Sequence, residues 1–151
     1  MRLDAEVKQY IEDSVLCWLA TSSADNLPNV SPKEVFTHYE DAFIIVANIA
    51  SPQTVRNIRE NPKVCVSFID ILVQKGYQLK GEAEIAEPTF AGYTEMEKKL
   101  TAITGGKFTF ATITRIKIQS AKQILAPSYL LFPDTKEEDQ RASAKKRYGF
   151  A

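Results

Sequence analysis

Along the chain, apolar positions change period several times, and each change marks an element. Residues 4–13 put Val7, Tyr10 and Ile11 on one face at i, i+3, i+4 spacing, which predicts a short helix. Residues 15–21 form an apolar β run, and Ser22-Ser23-Ala24-Asp25-Asn26 supplies turn chemistry after it. Residues 27–39 read as one extended segment, because Pro28 and Pro32 block a helix there. Proline inside a strand marks an edge or a bulge, so this segment keeps backbone groups free for another partner. Residues 42–49 are nearly all apolar and predict a strand covered on both faces.

Residues 51–60 predict a helix with clear punctuation. Ser51 is an N-cap residue type, Pro52 suits the first helical position, and Asn61-Pro62 ends the run. Strands are expected at residues 64–69 and 77–87, with Lys75-Gly76 as the turn signal between them. Residues 89–104 are amphipathic through Phe90, Tyr93, Met96 and Leu100, and Gly105-Gly106 stops that helix. A long strand rich in β-branched residues is expected over 108–118. From Pro133 the composition shifts. Glu137, Glu138 and Asp139 precede Arg141, Lys145, Lys146 and Arg147, the polarity a helix dipole favours, so the tail reads as a solvated helix ending at Gly149. The expected organisation is one domain over residues 1–132 and a helical tail over 133–151. The fold class is mainly β (α+β): about six strands, mostly antiparallel, interrupted by helices and closed into a full or split barrel that hides its edges.

Composition narrows the function classes. With 44% apolar and 25% charged residues, the chain suits a globular cytoplasmic protein rather than a disordered one. Formal net charge is zero, which disfavours nucleic acid or an anionic membrane as the main partner. No apolar run reaches the ~18–20 residues needed to span a bilayer, and the acidic turn after Met1-Arg2-Leu3 is unlike a signal peptide. Cys17 and Cys65 lie in apolar runs without CxxC spacing and read as buried free thiols. Two cysteines and one histidine do not make a convincing zinc set, so no metal is expected. His38 sits beside Tyr39, Glu40 and Asp41 and reads as a surface turn residue. Trp18 reads as core.

Two segments carry candidate chemistry. Ser51-Pro52-Gln53-Thr54 opens a helix, where unpaired backbone N–H groups and a partial positive charge favour an anion, commonly phosphate. Gln53 and Thr54 add an amide and a hydroxyl. An ordinary capped helix has the same composition. Asn29-Val30-Ser31-Pro32-Lys33 interleaves small polar residues with prolines, an arrangement able to border a flat heterocycle, with Lys33 offsetting negative charge. The bland alternative is an edge strand with a solvated lysine. No Ser/His/Asp set and no G-x-G-x-x-G after a strand is present.

The order of these segments resembles the pyridoxamine 5′-phosphate oxidase-like family of FMN-binding split barrels, over roughly residues 5–125. Leu16-Cys17-Trp18-Leu19-Ala20-Thr21 resembles the family's first strand, and Leu27-Pro28-Asn29-Val30-Ser31-Pro32-Lys33 the second. The run from Val46-Ala47-Asn48 through Ser51-Pro52-Gln53-Thr54 to Asn61-Pro62 resembles its strand, phosphate turn and helix. Lys63-Val64-Cys65-Val66 and Leu79-Lys80-Gly81-Glu82-Ala83 resemble the strands that follow.

The resemblance implies FMN as cofactor. Ser31, Pro32 and Lys33 line the flavin ring and ribityl chain, Val46, Ala47 and Asn48 pass beside it, and Ser51, Gln53 and Thr54 hold the phosphate. It also implies a homodimer with the flavin at the subunit interface, and Phe108 or Phe110 reaching the partner's flavin. Departures from the family pattern point away from oxidation of pyridoxamine phosphate itself. Pro52 and Gln53 stand where basic residues are usual, Thr37 stands near the place of a substrate lysine, and the tail lacks the arginine-and-histidine signature. The expected function is a flavin-dependent oxidoreductase of unassigned substrate. The alternatives are a reductase using the deazaflavin F420, and a flavin-free module binding haem or another planar ligand.

Overall fold

The computed structural model describes residues 1–150; Ala151, the last residue of the expected tail, lies outside the described residues. One antiparallel sheet has seven strands rather than six, β1 (Cys17–Ser22), β2 (Pro28–Lys33), β3 (Phe36–Tyr39), β4 (Phe43–Ala47), β5 (Lys63–Asp70), β6 (Lys75–Ala86) and β7 (Ile113–Leu125), in the order β2-β1-β5-β6-β7-β4-β3. The extra strand arises because residues 27–39 break in two. β2 (Pro28–Lys33) ends before Glu34-Val35, and β3 (Phe36–Tyr39) begins after them. These consecutive strands lie at opposite ends of the sheet order. The chain from Lys33 to Phe36 reaches at most ~11 Å. The sheet must therefore curl until its two ends nearly meet, which makes it a half-barrel of the split-barrel kind.

Each side of the curled sheet has its own core. Inside, Leu3, Val7 and Ile11 from the α1 (Ala5–Asp13) region pack with Leu19, Ile44, Val46, Phe68, Leu79 and Ile116. The Asp4 carboxylate caps α1 by accepting from the Val7 amide at 2.8 Å. Outside, Tyr93, Met96 and Leu100 of α3 (Tyr93–Thr104) cover Ile45, Ala47 and Ile113. β4 (Phe43–Ala47) therefore sends alternate residues into different cores, which explains its nearly continuous apolar run.

The longest strands, β6 (Lys75–Ala86) and β7 (Ile113–Leu125), pair along their length with a register shift at Lys80/Gly81. A Cβ on Gly81 would stand 2.2 Å from the Lys117 carbonyl oxygen, so only glycine fits there. β5 (Lys63–Asp70) links β6 to β1 (Cys17–Ser22).

Several local expectations change. β7 starts at Ile113, not Phe108, and continues to Leu125. A short α4 (Pro127–Leu131) follows, which the sequence pattern did not announce. Trp18 is 47% exposed on the outer face of β1 instead of buried. His38 lies within β3 rather than in the hairpin turn, with its Nε2 3.0 Å from a Glu12 carboxylate oxygen. Cys17 is buried and Cys65 half-buried, both as free thiols. The tail forms α5 (Glu137–Tyr148), which buries only Ala144 and is held by Lys75–Glu137 at 2.6 Å and Arg141–Asp70 at 3.8 Å. Among the described residues, no helix is long and apolar enough to cross a membrane, and no group of three or more metal-ligating side chains is clustered.

Candidate functional site

The period of β2 sends Asn29, Ser31 and Lys33 to one face and Pro28, Val30 and Pro32 to the other. The first face looks toward α2 (Pro52–Glu60). There the Ser31 and Thr54 hydroxyl oxygens are 3.2 Å apart, and the Lys33 ammonium donates to the Ser51 hydroxyl. Ser51 makes no side-chain cap to α2, so its oxygen serves Lys33 rather than the helix.

Lys33 is only 5% exposed, and among the described residues no carboxylate forms an ion pair with it. Burial lowers its pKa from the ordinary lysine value, while the neighbouring Cys17 thiol acts weakly the other way. Cys17 is the cross-strand partner of Lys33, and burial pushes its thiol up to about 12. A buried cation without a counter-charge is costly, and an anion placed beside it relieves that cost.

α2 is fixed from beneath. Thr54 and Asn57 are buried, Asn57 Nδ2 donates to Thr21 Oγ1 at 3.0 Å, and Gln53 Nε2 donates to Asn57 Oδ1 at 2.7 Å. The Gln53 amide is thus spent within the helix. Past the end of β4, Asn48 is clasped to the start of β7. Its Nδ2 donates to Thr112 Oγ1 at 3.1 Å, and its Oδ1 accepts from Thr114 Oγ1 at 2.8 Å.

Two cavities meet at the wall formed by Ile49, Ala50 and Ser51. The smaller, about 270 Å³, is lined by Pro32, Lys33, Ala47, Ser51 and Phe108 among others. The larger, about 520 Å³, is lined by Asn48, Val55, Arg56, Arg59 and Thr112 together with the same wall. Of the residues expected at the site, Pro32, Lys33, Ala47, Asn48, Ser51 and Phe108 line these cavities. Ser31, Gln53 and Thr54 line neither: Ser31 of β2 faces the buried Thr54 of α2, and Gln53 is exposed on the first turn of α2. Val46 points into the inner core, and Phe110 packs against the outer one.

Arg56, Arg59 and Thr112 were not read from the sequence. The arginines look like the solvated face of a helix, and Thr112 is brought in only by tertiary pairing. Arg59 is tied to Glu87 at 3.2 Å.

Residues 3–125 match the family model of pyridoxamine 5′-phosphate oxidase. The chain belongs to this family. Among curated relatives, it is similar to a protein of Vibrio cholerae named heme oxygenase HutZ, with 32% identity over 69 residues, covering 46% of this chain and 38% of that relative. The chain thus matches well under half the length of that relative. Among solved structures, it is similar to HupZ of Group A Streptococcus at 26% identity, covering 82% of this chain and 95% of that one with a TM-score of 0.71. An FMN-binding protein of Syntrophomonas wolfei shares the fold at 17% identity, covering 80% and 84% with a TM-score of 0.68.

Proposed function

We propose that this member of the family binds FMN and acts as a flavin-dependent oxidoreductase. The observation that carries the reading is Lys33: a buried ammonium without a carboxylate partner, beside Ser51 at the start of α2. A phosphate dianion supplies the missing charge, and the first turn of α2 offers unpaired backbone donors to it. Ser31, Ser51 and Thr54 add hydroxyls, while Pro32, Ala47 and Asn48 border the cofactor's path. The bound flavin would supply hydride or electron transfer, and the protein would hold and tune it.

The haem reading draws on the HutZ relative, and the chain's own histidine speaks against it. His38 is held by Glu12 and lines neither cavity. Pro52 and Gln53, where basic residues are usual, favour a substrate other than pyridoxamine phosphate.

The reading includes a homodimer. Trp18, Val30 and Pro32 are exposed on the outer face of β1 and β2, with Trp18 opposite Pro32 in register. Pro32 also lines the Lys33 cavity, so a second copy seated on this apolar face would border the cofactor.

Titration of the purified apo protein with FMN, riboflavin and hemin tests the proposal. FMN should bind at least tenfold more tightly than riboflavin, or ~1.4 kcal/mol. Equal affinities, or hemin binding in preference to FMN, would overturn it. Sedimentation of the wild type and of Trp18→Glu tests the dimer, and a wild-type monomer that holds FMN would refute that part.

A further inference from the structure

A third cavity, about 620 Å³, is larger than the two that meet at Ile49, Ala50 and Ser51. It lies where the start of β1, the end of β5 and the C-terminal tail come together. Val15, Trp18, Ile71 and Phe150 border it, and each is at least 47% exposed. Phe150 is placed rather than loose. Gly149 ends α5 in a left-handed conformation with φ of 73°, and the Phe150 amide closes on the Lys145 carbonyl at 2.9 Å. Trp18 is the register partner of Pro32, which lines the Lys33 cavity, so one cross-strand pair links the two cavities.

Three charged side chains reach the rim: Asp13, Asp70 and Arg141. Both carboxylates are engaged locally. Asp70 accepts from the Leu72 and Val73 amides at 2.8 and 3.3 Å, and Asp13 accepts from the Gln9 side-chain amide at 3.0 Å. Arg141 approaches Asp70 only at 3.8 Å, beyond hydrogen-bond distance, so its guanidinium keeps donors for another acceptor. Two carboxylates against one guanidinium leave the rim net negative, which disfavours an anion, and the guanidinium itself disfavours a cation. We propose that this cavity is a binding site for a neutral, planar aromatic molecule bearing a carbonyl. The ring lies among Trp18, Ile71 and Phe150, and the carbonyl accepts from Arg141. The volume falls within the roughly 300–1,000 Å³ of small-molecule sites, whose usual make-up is apolar walls with a few placed polar groups. The site shares no residue with the proposed FMN contacts and stands or falls without them. Trp18 also belongs to the proposed dimer face, so the test keeps Trp18 intact and follows the assembly.

Trp18 is the chain's only tryptophan, so its fluorescence reports on this cavity. Titration of the full-length protein without FMN should show saturable quenching by 2-acetylnaphthalene. 2-Naphthoate and 2-naphthylmethylammonium should bind at least tenfold more weakly. So should 2-ethylnaphthalene, which displaces the ketone but offers no acceptor. Arg141→Met should weaken the ketone about tenfold and leave 2-ethylnaphthalene unchanged; loss of both would overturn the role given to Arg141. Ile71→Glu and Val15→Glu, both at exposed positions, should weaken the ketone at least tenfold while sedimenting and melting as wild type. Absence of saturable quenching overturns the proposal. Tighter binding of either charged probe does so too, as does ketone affinity within twofold of wild type in both glutamate variants. No flavin is present in these titrations, so their outcome is separate from whether the chain binds FMN.

Discussion

The Lys33 ammonium, buried beneath the start of α2, donates to the hydroxyl of Ser51 and has no carboxylate partner among the described residues. Together they leave a positive charge held in place by a neutral acceptor, with both residues lining one cavity.

Replacing Ser51 by aspartate fills the missing charge from within. Aspartate is as good an N-cap residue as serine, so α2 loses nothing. The new carboxylate pairs with Lys33 and should stabilise the apo protein by about 1–3 kcal/mol. The same carboxylate then opposes a phosphate of charge about −1.5 to −2. At ~4 Å and an effective dielectric of ~20, one unit-charge repulsion is about 4 kcal/mol, or roughly three orders of magnitude in affinity. Ser51→Asp should therefore melt higher than wild type and bind FMN about 1,000-fold more weakly. A variant that binds FMN within threefold of wild type would show that the phosphate sits elsewhere. Thr54 is a poorer place for this test, because at 1% exposure a glutamate there would disrupt the packing itself.

The helix start at Ser51-Pro52 was legible because its signals are local: a capping residue type, a proline at the first position, and Asn61-Pro62 at the end. The apolar run of β4 was legible because burial on both faces writes itself into composition. The break at Glu34-Val35 was not, since neither residue is a turn former and the break is imposed by strands pairing at opposite ends of the sheet. Residues 108–112 carry β-branched and aromatic residues, yet they precede the ladder, which begins at Ile113 beside the contact of Asn48 with Thr112. Lys33 reads as a solvated lysine because its burial depends on α2 folding back over β2. Trp18 alternates correctly with Cys17 and Leu19, but alternation says which residues share a face and not which face is covered within one chain.

The cysteines should be poor nucleophiles in the native state. Burial raises both thiols, Cys17 to about 12, although Lys33 works against the rise at Cys17. At pH 8 a thiol near 12 has a thiolate fraction of only about 10⁻⁴. A disulfide reagent at pH 8 should therefore react slowly, with half-buried Cys65 ahead of Cys17. Both should react at once in denaturant. Prompt native labelling of Cys17, located by peptide mapping, would contradict its burial beside Lys33.

Gly81 sits at the register shift between β6 and β7. A methyl group there meets the Lys117 carbonyl oxygen at 2.2 Å, and that oxygen is backbone, so strand β7 has to move. Gly81→Ala should cost more than about 3 kcal/mol. Gly105→Ala is the contrast: its Cβ meets nothing within 4 Å, and only the left-handed φ of 60° is strained, worth about 1–2 kcal/mol. Denaturant melts of the two variants should rank them in that order, and equal midpoints would refute the steric argument at Gly81.

Lys33→Met separates the cost of the buried charge from its use. Burial lowers the folded-state pKa of Lys33 below its unfolded value of 10.5. Between those two values the unfolded chain binds more protons than the folded one, so this group makes stability rise with pH across that window. Below the folded pKa the whole cost of the buried ammonium is carried. Methionine fills similar space with no charge to desolvate. The apo variant should therefore be more stable than wild type at pH 7, by about 1 kcal/mol or more, which is roughly 2–4 °C in melting temperature for a chain of this size. The advantage should shrink as pH climbs through the lowered folded-state pKa toward 10.5, because folded wild type sheds the proton before the unfolded chain does. Tyrosines that titrate in the same range are common to both proteins and cancel in the difference. FMN affinity should move the opposite way, falling at least tenfold at pH 7 as the charge that faces the phosphate is lost. Paired apo melts from pH 7 to 10.5, with FMN titrations at pH 7, read all three signs. A stability gap that does not change with pH would mean Lys33 is not desolvated. Unchanged FMN affinity would mean its charge serves something other than the phosphate.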